Sequence, residues 1–247
     1  MKIDFHTYTG NSLFGIGLSE EKLYKNMNRL GIDRAVLLPF KPPEYHLGPE
    51  NDRVASLVNK YPNRYFGFGR VDPWLGQAAL DEINRIFSVL GLSGLFINPV
   101  EEQCPLTSPQ VIMVVKKAAV FNRPVMIAGG HNRVSHPRQI EYLAREFPET
   151  TFVVTSSGQI NICGIMMADA EEMLVNCHNV VMETSGIYRR DFIERMSDVI
   201  GSGRIVFGSG APYYNQEFEL ERILSADTDD CNKGNILGNT ALSILKK

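Results

Sequence analysis

Short apolar runs alternate eight times with longer amphipathic segments along this chain, beginning with Ile3 to His6 and ending with Arg204 to Gly208 and the helical pattern after it. Apolar strands that are each followed by a helix are typical of a parallel sheet buried on both faces. Eight such units in 247 residues favour closure into a (β/α)8 barrel. A ninth helical pattern, Asn235 to Leu245, predicts a terminal helix, which we expect on the barrel exterior. We expect residues 1–247 to form a single domain.

The composition narrows the function classes. Hydrophobic residues make up 44% and charged residues 21% of the chain, with a net charge of −3, so a large core can be buried. No Lys/Arg-rich run and no apolar run of about 20 residues is present, which excludes nucleic acid and membrane as expected partners. The start of the chain does not resemble a signal peptide, and its four cysteines are widely spaced. We therefore expect a cytoplasmic protein with reduced thiols.

In such a barrel the chemistry lies at the C-terminal ends of the strands. Among the side chains at these ends, His6 and Glu183 are the candidate catalytic residues, because both can transfer protons. The candidate substrate-binding residues are polar side chains at or just beyond other strand ends. They are Tyr8, Lys41, Arg70, Asn98, His131, Ser156, Tyr188 and Ser209.

The strand ends, taken in order, resemble those of amidohydrolase-related barrels of the aminocarboxymuconate-semialdehyde decarboxylase type. IDFHTY at 3–8 resembles the opening I-D-x-H-x-H, and RPVMIAGG at 123–130 is similar to P-V-x-I-H. EFPETTFVVTSSG at 146–158 and NVVMETSG at 179–186 resemble F-P-x-x-x-x-V-x-x-H-x-G and N-V-x-x-x-x-S-G. GRIVFGSGAP at 203–212 is similar to D-R-I-L-F-G-S-D-x-P, and NILGNTA at 235–241 to I-L-G-x-N-A. The resemblance implies a hydrolase or decarboxylase that acts on a small carboxylated molecule.

The resemblance also implies a divalent metal, held by five ligands at the matching positions. Of these only His6 is present, because the others are Tyr8, Ala128, Ser156 and Gly210. Alanine and glycine offer no side-chain donor, and neutral hydroxyls are weak ligands beside imidazole or carboxylate. We therefore predict that no metal and no other cofactor is bound.

The remaining residues leave alternatives open. His6 is either a general acid–base or a core histidine bonded to a neighbour, and Arg70 either binds a carboxylate or forms an ion pair with Asp72. Three functions follow. The chain is a metal-independent hydrolase or decarboxylase, an inactive barrel that binds a small molecule or a protein, or a metal enzyme that uses His6, His46 and His131. A homo-oligomer is a further open alternative.

Overall fold

A computed structural model describes residues 1–159, 164–187 and 189–246. Within that part of the chain, nine strands form one sheet. The strands are β1 (Ile3–Asn11), β2 (Gly17–Leu18), β3 (Arg34–Pro39), β4 (Tyr65–Arg70), β5 (Gly94–Ile97), β6 (Val125–Ile127), β7 (Phe152–Val154), β8 (Val180–Glu183) and β9 (Ile205–Val206). All neighbours are parallel except β2, which forms an antiparallel hairpin with β1.

A helix follows each of the eight parallel strands. These helices are α1 (Glu20–Leu30), α2 (Leu47–Lys60), α3 (Gln77–Ser88), α4 (Pro109–Ala119), α5 (Pro137–Glu146), α6 (Gly164–Asn176), α7 (Arg190–Ile200) and α8 (Gln216–Leu224). The chain continues through α9 (Asp230–Gly234), a π-helical turn (Asn235–Asn239) and α10 (Thr240–Leu245). Among the described residues no helix is long and apolar enough to cross a membrane.

Backbone hydrogen bonds join the two ends of the sheet. Phe5 N donates to Phe207 O at 2.8 Å, and Tyr8 N donates to Ala211 O at 2.9 Å. Gly210 N donates in return to His6 O at 2.8 Å. These bonds close the sheet into a barrel, so the predicted (β/α)8 fold is confirmed.

The core has two layers. The larger lies between the sheet and the helices. Gly67 and Gly69 allow close packing there, because a Cβ atom at Gly67 would lie 2.6 Å from Val54 and one at Gly69 would lie 2.6 Å from Ile86. The smaller layer fills the barrel interior, where Phe68 and Phe96 are fully buried.

The predicted position of the terminal helix was wrong. Ala241, Ile244 and Leu245 of α10 pack with the side chains of the barrel interior. Ile244 also borders a crevice lined by residues that precede β6 and β7. The helix therefore covers the N-terminal end of the barrel, where its apolar face is removed from water.

Candidate active site

The inward-facing alternation of the strands brings side chains to the mouth of the barrel. Val181 of β8 and Phe68 of β4 face the interior, so Glu183 and Arg70, two residues further along, face the same way. On β1 the register with β3 shifts between Asp4 and Thr7. The shift lets His6 and Tyr8 lie together at the mouth, with ring centroids 5.1 Å apart.

One side of the mouth is built around a buried carboxylate. Glu183 is fully buried, and its Oε2 accepts hydrogen bonds from Ser185 Oγ at 2.8 Å and Ser156 N at 3.1 Å. Its Oε1 accepts from Ser185 N at 2.7 Å. His6 Nδ1 lies 3.1 Å from Ser185 Oγ and 3.3 Å from Glu183 Oε2. We call His6, Glu183 and Ser185 the His6 wall.

The hydrogen-bond pattern assigns the protonation of His6. Ser185 Oγ already donates its hydrogen to Glu183, so towards His6 it can only accept. The imidazole therefore carries a hydrogen on Nδ1 and leaves Nε2 available. His6 is 5% exposed, and Nε2 is a buried atom with no hydrogen-bond partner among the described residues.

The opposite side of the mouth is built around a buried guanidinium. Arg70 is fully buried and donates from Nη2 and Nε to Glu102 at 2.7 and 3.0 Å. Its Nη2 also donates to Glu101 at 2.6 Å, and its Nη1 to Pro39 O at 3.4 Å. Burial alone would lower the pKa of Arg70, but Glu102 and Glu101 raise it above its ordinary value. We call Arg70, Glu101 and Glu102 the Arg70 wall.

The alternative pairing of Arg70 with Asp72 is not what the structure shows. Asp72 caps the short helical turn Pro73–Leu75 by accepting from Trp74 N at 3.0 Å. Strand β4 ends at Arg70 and Asp72 begins the next turn, so the strand alternation that predicted a shared face does not extend to Asp72. The partners of Arg70 are the two glutamates of the next loop.

Aromatic rings lie between the two walls. Tyr8 stacks on Phe40 with centroids 4.7 Å apart and contacts Phe96 and Tyr213 edge to face. Burial, followed by the nearby Glu101 carboxylate, raises the pKa of Tyr8 well above its ordinary value. The Tyr8 phenol therefore stays neutral at physiological pH.

Other predicted substrate-binding residues lie beside the Arg70 wall. Lys41 is 4% exposed, and its Nζ donates to Glu101 O at 3.1 Å. Asn98 Oδ1 accepts from Glu101 N at 3.3 Å and so fixes the start of the glutamate turn. The Lys41 ammonium has three hydrogens, and one hydrogen bond is shown for it, to a neutral carbonyl.

Three more predicted substrate-binding residues have different surroundings. Ser156 has a φ of 51° and its side chain bonds to Tyr214. Ser209 is fully buried and donates from N to Asp4 Oδ1 at 2.8 Å and from Oγ to His6 O at 3.4 Å, which braces β1. His131 accepts from Arg133 N and borders a rim cavity of about 430 Å³. Tyr188 lies outside the described residues.

Three functional candidates were not singled out from the sequence. Ser185 falls inside a strand-end motif, and its spacing of two from Glu183 was the available signal. Glu101 and Glu102 follow strand β5 by several residues, so neither strand periodicity nor a motif marks them. In the described part of the chain no group of three or more His, Cys, Asp or Glu residues is placed to hold a metal ion.

The sequence profile of the amidohydrolase family matches residues 30–247. The chain belongs to the amidohydrolase family. No curated protein matches its sequence significantly.

Solved structures share the fold at low sequence identity. The 5-carboxyvanillate decarboxylase from Sphingomonas paucimobilis is 16% identical, with a TM-score of 0.78 over 99% of this chain and 98% of that one. The enzyme of that name from Novosphingobium aromaticivorans, complexed with manganese and 4-hydroxy-3-methoxy-5-nitrobenzoic acid, is 16% identical, with a TM-score of 0.81 over 100% and 96%. For 2,6-dihydroxybenzoate decarboxylase from Rhizobium the identity is 16% and the TM-score 0.74, over 99% and 98%.

Proposed function

We propose that this chain is a metal-independent decarboxylase of small aromatic carboxylic acids, with His6 as the general acid. The observation that carries the proposal is the His6 imidazole, held through Nδ1 by Ser185 and Glu183 while the buried Nε2 has no described partner. A buried polar atom without a partner is costly, and a substrate group that forms a hydrogen bond with Nε2 would remove that cost.

The substrate class is inferred from the surroundings of His6. Tyr8 and Phe40 both pack edge to face against Tyr213, and movement of Tyr213 would open their rings to stacking with an aromatic ring. Lys41 beside them is a buried ammonium that can donate to a substrate carboxylate. The named decarboxylases that share the fold act on acids of this kind.

The donor set does not fit the family's metal. The side chains at the five matching positions are those of His6, Tyr8, Ala128, Ser156 and Gly210, which supply one imidazole, two neutral hydroxyls and two positions without a donor. A catalytic zinc needs about three protein ligands. No step is therefore assigned to a metal.

The reaction needs one proton for each CO₂ released. His6, held through Nδ1 by Ser185 and Glu183, transfers a proton from Nε2 to the ring carbon that carries the carboxylate. The bond between that carbon and the carboxylate then breaks, and its electron pair restores the aromatic ring as CO₂ leaves. The Nε2 proton is replaced from water, and the hydroxide that remains combines with CO₂ to give bicarbonate.

Access to His6 requires movement at the mouth. Tyr213 packs on Tyr8 and bonds to Ser12, and Tyr214 bonds to Ser156. Both tyrosines lie on the loop after β9 and are 39% and 40% exposed. A substrate reaches Nε2 when this loop segment moves aside. The return of the segment would then exclude water from the site.

The test is decarboxylation of 5-carboxyvanillate and 2,6-dihydroxybenzoate by protein treated with a chelator and checked for metal content. We expect CO₂ release that does not depend on added Mn²⁺, and a product made in D₂O that carries deuterium on the carbon that lost CO₂. His6→Gln should lower kcat about 10²- to 10⁴-fold, whereas His178→Gln, at an exposed residue, should not.

Three results would contradict the proposal. Activity that is lost on chelation and restored by Mn²⁺ would mean that a metal is used. Activity of His6→Gln equal to that of the wild type would remove His6 from the reaction. Binding of both acids without turnover would support a non-catalytic barrel. The cytoplasmic location and the possible homo-oligomer stay predictions.

A further inference from the structure

The turn after β8 connects the His6 wall to a second buried carboxylate. Ser185 touches both His6 and Glu183. The next residue, Gly186, has a φ of 67° and donates from N to Glu219 Oε2 at 3.0 Å. The Gly186 backbone therefore links Ser185 to helix α8.

Glu219 has no part in the proton transfer described above, yet it is well buried. It is 4% exposed, and Arg222 Nη1 donates to its two oxygens at 3.1 and 3.2 Å. The other charged or titratable groups that act on it are Glu183 of β8 and Tyr214 of the loop after β9. Burial raises the pKa of Glu219 to about 7, although Arg222 opposes this.

The Gly186 position leaves little room for adjustment. A Cβ atom there would lie 2.8 Å from the Tyr214 ring, and the positive φ favours glycine. The turn is therefore held from two sides, by the Tyr214 ring and by the Glu219 carboxylate. Only the second of these holds it through a charge.

We propose that Glu219 is a positioning residue for the His6 wall: its carboxylate fixes the Gly186 amide, and through the turn it keeps Ser185 Oγ on His6 Nδ1. A carboxylate binds an N–H more strongly than a neutral carboxyl does. The hydrogen bond from Gly186 N to Glu219 is therefore stronger when Glu219 is ionised and weaker when it is protonated. The catalytic consequence rests on the proposed function, but the structural link does not.

The first test follows the Gly186 amide by NMR in the full chain labelled with ¹⁵N-glycine, from pH 5 to 9. We expect its shift to change with a single inflection near pH 7. The inflection should persist in His6→Gln and in Glu221→Gln, an exposed position on the same helix, and disappear in Glu219→Gln. A flat Gly186 titration in the wild type, which needs no variant, would overturn the proposal.

The second test asks whether the Glu219–Gly186 hydrogen bond fixes the position of Ser185. Replacement Glu219→Ala should move the Ser185 and Ser156 amide resonances, since both amides donate to Glu183, while Glu221→Gln should leave them in place. Unmoved Ser185 and Ser156 resonances in Glu219→Ala would overturn the link.

Activity supplies the third readout. If decarboxylation is observed, Glu219→Ala should lower kcat about 10- to 100-fold with little change in KM, and Glu219→Gln should remove an inflection near pH 7 from the kcat profile. A kcat profile that Glu219→Gln leaves unchanged would overturn the positioning role. Gly186 titration without any turnover would instead contradict the proposed function and leave the Glu219 link standing.

Discussion

The two walls of the mouth are both built on buried charge, but they differ in what they leave unused. In the Arg70 wall the guanidinium donates from Nε, Nη1 and Nη2, and each of these atoms has an acceptor. In the His6 wall the carboxylate is equally well satisfied, while one imidazole nitrogen, Nε2, has no described partner. A satisfied buried network stabilises a structure, and an unsatisfied atom held in place by one is available for chemistry.

The Arg70 wall, with all of its donors satisfied, should mainly stabilise the fold, and Arg70→Met tests this. Removal of the cation leaves Glu102 buried without its counter-charge, so we expect a loss of about 3–5 kcal/mol of unfolding free energy. Urea denaturation measures it. Lys25→Met, which breaks the exposed pair with Glu21, is the control and should cost less than about 1 kcal/mol. Equal losses in the two variants would remove the distinction between the walls.

Much of this arrangement follows from the sequence, and the rest does not for identifiable reasons. The strand–helix alternation predicts the barrel, and the inward period of two places Arg70, Glu183 and Asn98 at the mouth. Helix α1 begins at Glu20 after a Ser19 cap and ends before Gly31. Local signals of this kind are carried by neighbouring residues and need no knowledge of the folded chain.

The missed features depend on contacts between distant segments. Hairpin strand β2 has two residues and therefore no periodicity. Glu219 looks like an ordinary helical glutamate until α8 packs behind the turn at Gly186. Glu102 meets Arg70 across 32 positions of sequence. The burial that makes these carboxylates significant is a tertiary property that residue spacing does not encode.

Glu183→Gln tests whether the carboxylate of the His6 wall serves catalysis more than stability. The amide keeps the size of the carboxylate, but its NH₂ group cannot accept the hydrogen bonds that Ser185, Ser156 and His6 now give to the carboxylate. We expect kcat for the proposed decarboxylation to fall by at least about 10²-fold, with a smaller loss of stability than in Arg70→Met. Parallel kinetics and urea denaturation separate the effects. A larger stability loss than for Arg70→Met would reverse the assignment of roles.

Gly208→Ala tests how tightly the His6 wall is packed. A Cβ atom there would lie 2.0 Å from Glu183 Oε1 and 2.8 Å from His6 Cβ. Glu183 is fully buried and held by several hydrogen bonds, so it cannot move away freely, and we expect a cost of about 1–3 kcal/mol. Gly203→Ala, where no atom lies within 4 Å of the added Cβ, is the matched control for thermal unfolding. A Gly208 variant as stable as the Gly203 variant would show that the wall can rearrange.

The smallest expected effect concerns the charge behind the His6 wall. Burial raises the pKa of Glu219 from its ordinary 4.5 to about 7, so between these values the folded chain holds a proton that the unfolded chain has released. The contribution of this carboxyl to stability is therefore present at low pH and is lost as the pH rises towards and through 7.

Glu219→Gln removes that titration and leaves all other titrating groups unchanged, so the difference between variant and wild type reports on Glu219. We expect the variant and the wild type to respond similarly to urea near pH 5, and the variant to gain stability relative to the wild type as the pH rises to 8. The opposite trend would mean that the Arg222 pair outweighs the burial of the charge. In that case the second carboxylate would resemble those of the Arg70 wall, satisfied and structural, and the difference between the two sides of the mouth would reduce to His6 Nε2 alone.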